Sequence, residues 1–293
     1  MTDRDDQPGS PHARVQELLQ LPPIPGVACK LLDMVAREDC KIDDLADLIE
    51  QDPGLAARII GIANSAYFAR PTEVCCVAEA IIRILGLNLV RGIAIGIALS
   101  KPFDTSACPD FQLERYWYRA MQTANLADRL GTLTALPATE RSCLFISGLL
   151  HNLGQLILVH VFPDRMGRVL QKWPEHRAEG LRSLEAKYLS LTEIEAGCIV
   201  AHRWHLPRIP RAVMEFRHDP WRAGELAPLV HLVAYCAELA SAWYDDPAAS
   251  ADPGEAGGLL AGVDRARFDK FIEQVRAQDA QTRSLAHSLT HHP

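Results

Sequence analysis

The stretch DPGLAARIIGIANSAYF, residues 52–68, decides the fold class. Asp52 offers a side-chain acceptor just before Pro53, a residue that starts a helix without needing a partner for an N–H. Behind them Leu55, Ile59, Ile60 and Ile62 recur at the spacing of a 3.6-residue turn, not at the alternation of a strand. Asn64 and Ser65 close the run, because both side chains compete for backbone hydrogen bonds.

The same pattern extends in both directions. Upstream, Ser10-Pro11 begins a short helix after a polar lead, and LPPIP (21–25) is a rigid break. From Gly26, the residues Val27, Leu31, Met34 and Val35 recur at helical spacing, and Asp43 opens a helix carrying Leu45, Leu48 and Ile49. Downstream, helices are expected over about 76–85 and 88–100, hinged at Gly86 with Asn88 as N-cap. The second is apolar almost all round and should be central. Residues 101–110 connect to a long amphipathic helix with Leu113, Tyr116, Trp117, Ala120, Met121, Ala124 and Ala127 on one face. A helix from about Glu140 carries FISGLLHNLG, and Thr192 with Glu195 forms a capping box. A helix of roughly 20 residues covers 224–244, residues 245–258 read as a flexible linker, and a last helix from Asp264 fades into a polar tail. No run alternates. The chain reads as all-α with two packed helical bundles, at about 21–105 and 111–220, preceded by a lead (1–20) and followed by C-terminal helices (221–293).

Bulk properties narrow the function. The chain has 293 residues, 48% of them hydrophobic and 23% charged, as expected of a globular protein. A formal net charge of −7 argues against coating nucleic acid or anionic lipid. The polar, acidic N-terminus has no signal-peptide core, and the most apolar stretch, Ile81 to Leu99, is broken by Arg83, Asn88 and Arg91. The eight cysteines form no C-x-x-C pair and read as core thiols of a cytoplasmic protein; the vicinal Cys75-Cys76 alone invites a redox or metal reading. Tyr67 and Phe68, at a helix end beside Arg70-Pro71, suit either a contact surface or the core, with the core preferred.

Several separated motifs together resemble the HDOD family, helical bacterial signalling modules related to HD-domain phosphohydrolases. They are Asp52-Pro53, Ala63-Asn64-Ser65-Ala66-Tyr67, Leu85-Gly86, GLLHNLG (148–154) and RWHLP (203–207), and the resemblance runs from about Leu21 to Pro220. It implies an all-α fold whose second bundle is HD-domain-like, and a regulatory or scaffolding role.

The resemblance also implies where a metal site would lie. HD phosphohydrolases hold one or two divalent metals with an early His, a His-Asp doublet, further His residues and a late Asp, and the metals polarise phosphate and activate water. Here Arg119 stands at the early His, and a guanidinium cannot ligate a metal. The doublet reads His151-Asn152, keeping an oxygen and losing the charge. Glu193 replaces a His after the 190 loop, His218 remains beside Arg217, and Tyr235 or a neighbour falls at the late Asp. The expectation is a relic pocket of Arg119, His151, Asn152, Glu193 and His218, with no metal, no cofactor and no catalytic residue. His151 should bond to nearby backbone or to Asn152, and Arg119 is expected to pair with Glu193.

Between His202 and Arg222 the chain carries Arg203, Arg208, Arg211 and Arg217, with Trp204 and Trp221 interleaved. Arginine forks suit phosphate, so these four are candidate ligands for a small anion; the plainer reading is a solvated helix–loop–helix whose tryptophans anchor the core. The leading expectation is a non-catalytic signal-transduction module that binds other signalling proteins, with no membrane and little prospect of nucleic acid. The alternative is a weak metal-dependent phosphohydrolase acting on a nucleotide or cyclic dinucleotide.

Overall fold

The computed structural model describes residues 18, 21, 24–35, 41–65, 68, 73–176, 180–252, 258–260 and 262–290. The Ser10-Pro11 helix and Tyr67 lie outside them. Asp52 caps its helix as expected: its carboxylate accepts from the N–H of Gly54 and of Leu55, both at 3.1 Å. The N-terminal helices are α1 (Gly26–Val35), α2 (Ile42–Glu50), α3 (Pro53–Ala63), α4 (Val77–Glu79, continuing as a π turn over Ala80–Leu85) and α5 (Leu87–Ser100). Gly86, at φ 79°, occupies the N-cap position of α5. Asn88 therefore lies inside the first turn rather than capping it, since the sharp reversal falls on the residue that tolerates positive φ.

The second bundle follows with α6 (Leu113–Gly131), α7 (Ala138–Arg141), α8 (Leu144–Leu150), α9 (Leu153–Val161), α10 (Pro163–Lys172), α11 (Leu181–Leu189), α12 (Glu193–Arg203) and α13 (Arg208–Phe216). The expected single helix through FISGLLHNLG is two, α8 and α9, and the His151-Asn152 doublet sits at the break. Then come α14 (Ala227–Asp245), α15 (Arg265–Arg276) and α16 (Asp279–Thr290). The described residues form no strand. Two apolar runs, 138–161 and 220–245, are long enough to cross a membrane by composition, but 89% and 67% of their most apolar windows are buried in this bundle.

One apolar core runs without interruption from α1–α5 into α6 and α8–α13. Helix α5 is its hinge line and is central as expected: a Cβ at Gly92 would come within 2.3 Å of the Phe145 ring of α8. A second core joins the far face of α6, through Leu126, Ala127 and Leu130, to α14 and α15. Phe68 is buried in the first core, which removes the reason to read it as a contact residue.

The C-terminal segment departs most from expectation. The polar tail is α16, which buries Thr282, Leu285, Ala286 and Leu289. Tyr118 of α6 donates a short hydrogen bond to Asp279, and Arg283 reaches Asp279 at 2.7 Å and the Trp243 carbonyl at 2.7 Å. The Arg283 guanidinium also lies over the rings of Tyr118 and Tyr244. At the other end of α16, Arg58 of α3 donates to the Leu289 carbonyl at 3.2 Å. Helix α16 thus straps both bundles together. Before it, Ala249 accepts from Trp243 Nε1 at 3.0 Å, and Ala251 is buried, so the first part of the compositional linker has fixed contacts.

Candidate functional site

Two close helix contacts build the site around the doublet. A Cβ on Gly148 would meet the α6 backbone at Ala124 within 2.7 Å, and one on Gly154 would meet the Glu193 carbonyl at 1.8 Å. Only glycine permits these approaches. They press α8 against α6 and α9 against α12, so His151 and Asn152 are buried between Arg119 and Glu193.

His151 Nδ1 lies 2.6 Å from the Gly148 carbonyl. A carbonyl only accepts, so Nδ1 carries the proton, and Nε2 presents its lone pair to the interior without a partner. This is the arrangement of a metal-ligating imidazole, whose other nitrogen donates to backbone. Burial, then Arg217 and Arg119, push the His151 pKa down to about 3, so the ring is neutral. Both amide atoms of Asn152 are also buried, with no hydrogen-bond partner among the described residues.

Glu193 is the first residue of α12, inside the capping box of Thr192 and Glu195. Its backbone N–H donates to Glu185 Oε2 at 2.9 Å. Its carboxylate takes a short ion pair from Arg217 Nη2, with His218 Nε2 at 3.8 Å. Arg217 Nη1 donates to the His151 carbonyl at 2.8 Å. Burial alone would raise the Glu193 pKa, but Arg217, His218 and Arg119 hold it well below the ordinary carboxylate range. Burial and the neighbouring Glu193 charge raise that of Glu185 well above the ordinary carboxylate range.

The expected Arg119–Glu193 pair is not formed. Glu193 is taken by Arg217, and Arg119 Nε has no hydrogen-bond partner among the described residues, although the guanidinium still feels the Glu193 charge. The reason is reach: Arg217, at the C-terminal end of α13, spans from Glu193 to the His151 carbonyl and fills the ground between them. Two guanidinium groups, Arg119 and Arg217, thus stand around the Glu193 carboxylate. A divalent cation there would lie beside both guanidinium groups, each of which repels it, and Tyr235 is buried in α14 at the sequence position expected for the late Asp or a neighbour. Among the described residues no group of three or more His, Cys, Asp or Glu is placed to hold a metal. The residues do not fit the metal centre that the HD relationship implies.

The four arginines of the anion cluster do not all face one way. Arg217 turns into the buried site, Arg211 bonds His202 at 3.0 Å, and Arg203 and Arg208 are exposed. Trp204 anchors the core beside Phe103, but Trp221 is 70% exposed, leaning on His231. Cys75 is exposed rather than in the core. Sequence reasoning missed Glu185 and the inward turn of Arg217. The strong amphipathicity of RIPRAVMEF (208–216), which fixes the inner face of α13, was the available signal for the second.

The HDOD domain profile matches residues 21–220. This chain belongs to the HDOD family. An uncharacterized protein of Treponema pallidum is 26% identical over 216 residues, 72% of this chain and 41% of that protein. A candidate signal transduction protein of Marinobacter aquaeolei superposes with TM-score 0.76 at 24% identity over 93% of this chain, which spans 60% of that structure. An HDOD domain protein of unknown function from Geobacter sulfurreducens gives 0.68 at 21% identity over 92% of this chain and 98% of its own. A candidate phosphohydrolase of Shewanella amazonensis gives 0.69 at 23% identity, over 94% and 98%. At these identities the structures attest the HDOD fold.

Proposed function

We propose that this HDOD chain is a non-catalytic signalling module that works by binding other signalling proteins in the cytoplasm, with its HD-like pocket kept as a pin between helices. The observation that carries the reading is the Arg217–Glu193 ion pair beside Arg119, which puts two guanidinium ions where HD enzymes keep divalent metal. The side chains of Arg217 and Glu193 are only 8% and 10% exposed, so the pair is a buried element of the packing. On the N-terminal bundle Ile82 is 67% exposed on the π turn of α4, an apolar residue on a local irregularity of the kind found at functional surfaces. This supports contact through that bundle.

The competing reading, weak metal-dependent phosphohydrolase activity, draws on His151 Nε2, still oriented as a ligand. Elemental analysis of the purified protein and phosphatase assays on nucleotides and cyclic dinucleotides separate the two. The expected result is no stoichiometric Mn, Fe, Zn or Mg and no turnover, in wild type and in Asn152→Asp, because Arg119 and Arg217 remain. Metal at about one equivalent in wild type, or turnover by the single variant, promotes the enzyme reading.

A further inference from the structure

A second polar concentration lies away from the relic pocket, where α16 crosses α6. Asn125, Asp128 and Arg129 are spaced i, i+3, i+4 on α6 and so share one face. Gln278, Gln281 and Thr282 repeat that spacing across the gap. Facing stripes between packed helices are ordinarily apolar. Here they are polar, and among the described residues no hydrogen bond or ion pair joins one stripe to the other; Thr282 Oγ1 turns back to the Gln278 carbonyl at 3.4 Å. They enclose a cleft of about 360 Å³, floored by the leucines around the Gly86 hinge and by Phe145. Burial raises the Asp128 pKa against the pull of Arg91 and Arg129, so the fold keeps a carboxyl where it costs stability.

The volume is that of a small-ligand site, with an apolar floor and a few converging polar groups. Leucine and phenylalanine surfaces accept the face of a flat ring. Amides offer donors and acceptors together, which suits a heterocycle edge carrying both. A carboxylate accepts from two adjacent N–H donors, the arrangement guanine presents at N1 and N2 and adenine does not. Arg129 supplies a fork for phosphate. We propose that this cleft binds a guanine nucleotide, with the base edge on Asp128 and the neighbouring amides and the phosphate on Arg129. The N-terminal bundle, α6 and α16 all wall the cleft, so such a ligand would bear on how the two bundles are held.

Titration calorimetry on the full chain with guanosine monophosphate, adenosine monophosphate, guanosine and inorganic phosphate tests this. Guanosine monophosphate is expected to bind at least about tenfold more tightly than each of the other three probes. Asp128→Asn should abolish the preference for guanine over adenine. Arg129→Ala should bring guanosine monophosphate down to the affinity of guanosine while leaving guanosine unchanged. Circular dichroism checks that both fold, and Gln281→Leu, which fills the opposite wall, is the variant to use if either does not; it too should weaken binding at least about tenfold. The proposal is overturned by no binding of guanosine monophosphate, by equal binding of adenosine monophosphate or bare phosphate, or by wild-type affinity in the variants.

Discussion

The relic pocket and the cleft under α16 treat buried polarity in opposite ways. In the pocket, charge meets charge: Arg217 joins the Glu193 carboxylate to the His151 carbonyl and ties α13, α12 and the doublet into one unit. In the cleft, six polar side chains line two faces, and among the described residues no hydrogen bond or ion pair crosses from one face to the other. A buried ion pair of this kind fixes geometry, whereas facing stripes that do not bond each other offer hydrogen bonds to something else. Around the ion pair His151 Nε2 and the Asn152 amide also stay unbonded among the described residues, so what separates the two places is the charge pairing that ties helices together in the pocket and is missing across the seam of the bundles.

The contrast can be broken at several points. Arg217→Ala should have the largest effect, costing about 3–5 kcal/mol in denaturant unfolding, because it strands the Glu193 carboxylate in the interior. A double-mutant cycle should give a larger coupling for Arg217 with Glu193 than for Arg119 with Glu193; the reverse order would mean that the wrong arginine has been identified as the pin. Gly154→Ala should follow at about 1–3 kcal/mol, since its Cβ would drive α9 off the Glu193 carbonyl. Arg119→Met should change unfolding free energy by no more than about 1 kcal/mol, in the stabilising direction, because it removes a buried cation that forms no ion pair among the described residues. A strong loss there would give Arg119 a structural role that the contacts do not support.

The smallest effect sharpens the comparison from the cleft side. The folded pKa of Asp128 lies above its unfolded value. Its favourable contribution is therefore fully present below the unfolded pKa, near 3.8, and is lost as pH rises through the folded pKa. Asp128→Asn should accordingly melt higher than wild type at neutral pH, with the gap shrinking as pH falls toward 4. Asp52 runs the other way. The hydrogen bond from Lys101 leads the effects that lower its pKa, so its contribution is present above the unfolded value and fades as pH drops through the folded one. Thermal melts of Asp52→Asn across the same range should show a deficit at neutral pH that closes in acid.

Local chemistry was legible wherever one side chain settles one backbone group. The Asp52 cap and the Thr192–Glu195 capping box stand as the sequence implied, because those bonds lie within three residues. Helix α5 read as central since only burial on all sides explains so apolar a run. The break at His151-Asn152 was hidden because apolar residues flank it evenly, and periodicity cannot see a turn that keeps its neighbours buried. Helix α16 was hidden for the opposite reason: DAQTRSLAHSLT buries a narrow stripe against partners far away in sequence. The positions of Arg119, His151, Asn152 and Glu193 were readable by resemblance, but the pairing was not. Arg217 and Arg119 carry the same charge, and only the path of α13 decides which of them reaches Glu193.

The strap formed by α16 also sets an order of events during translation. Arg58 and Tyr118 leave the ribosome long before Leu289 and Asp279, the residues to which they bond. Domains fold as units while synthesis proceeds, the N-terminal one first. The core that α1–α6 share with α8–α13 thus condenses before these two side chains find their partners, and the seam closes only when residues 279–290 arrive. A nascent chain stalled before Asp279 would carry the shared core with the cleft at its edge unroofed.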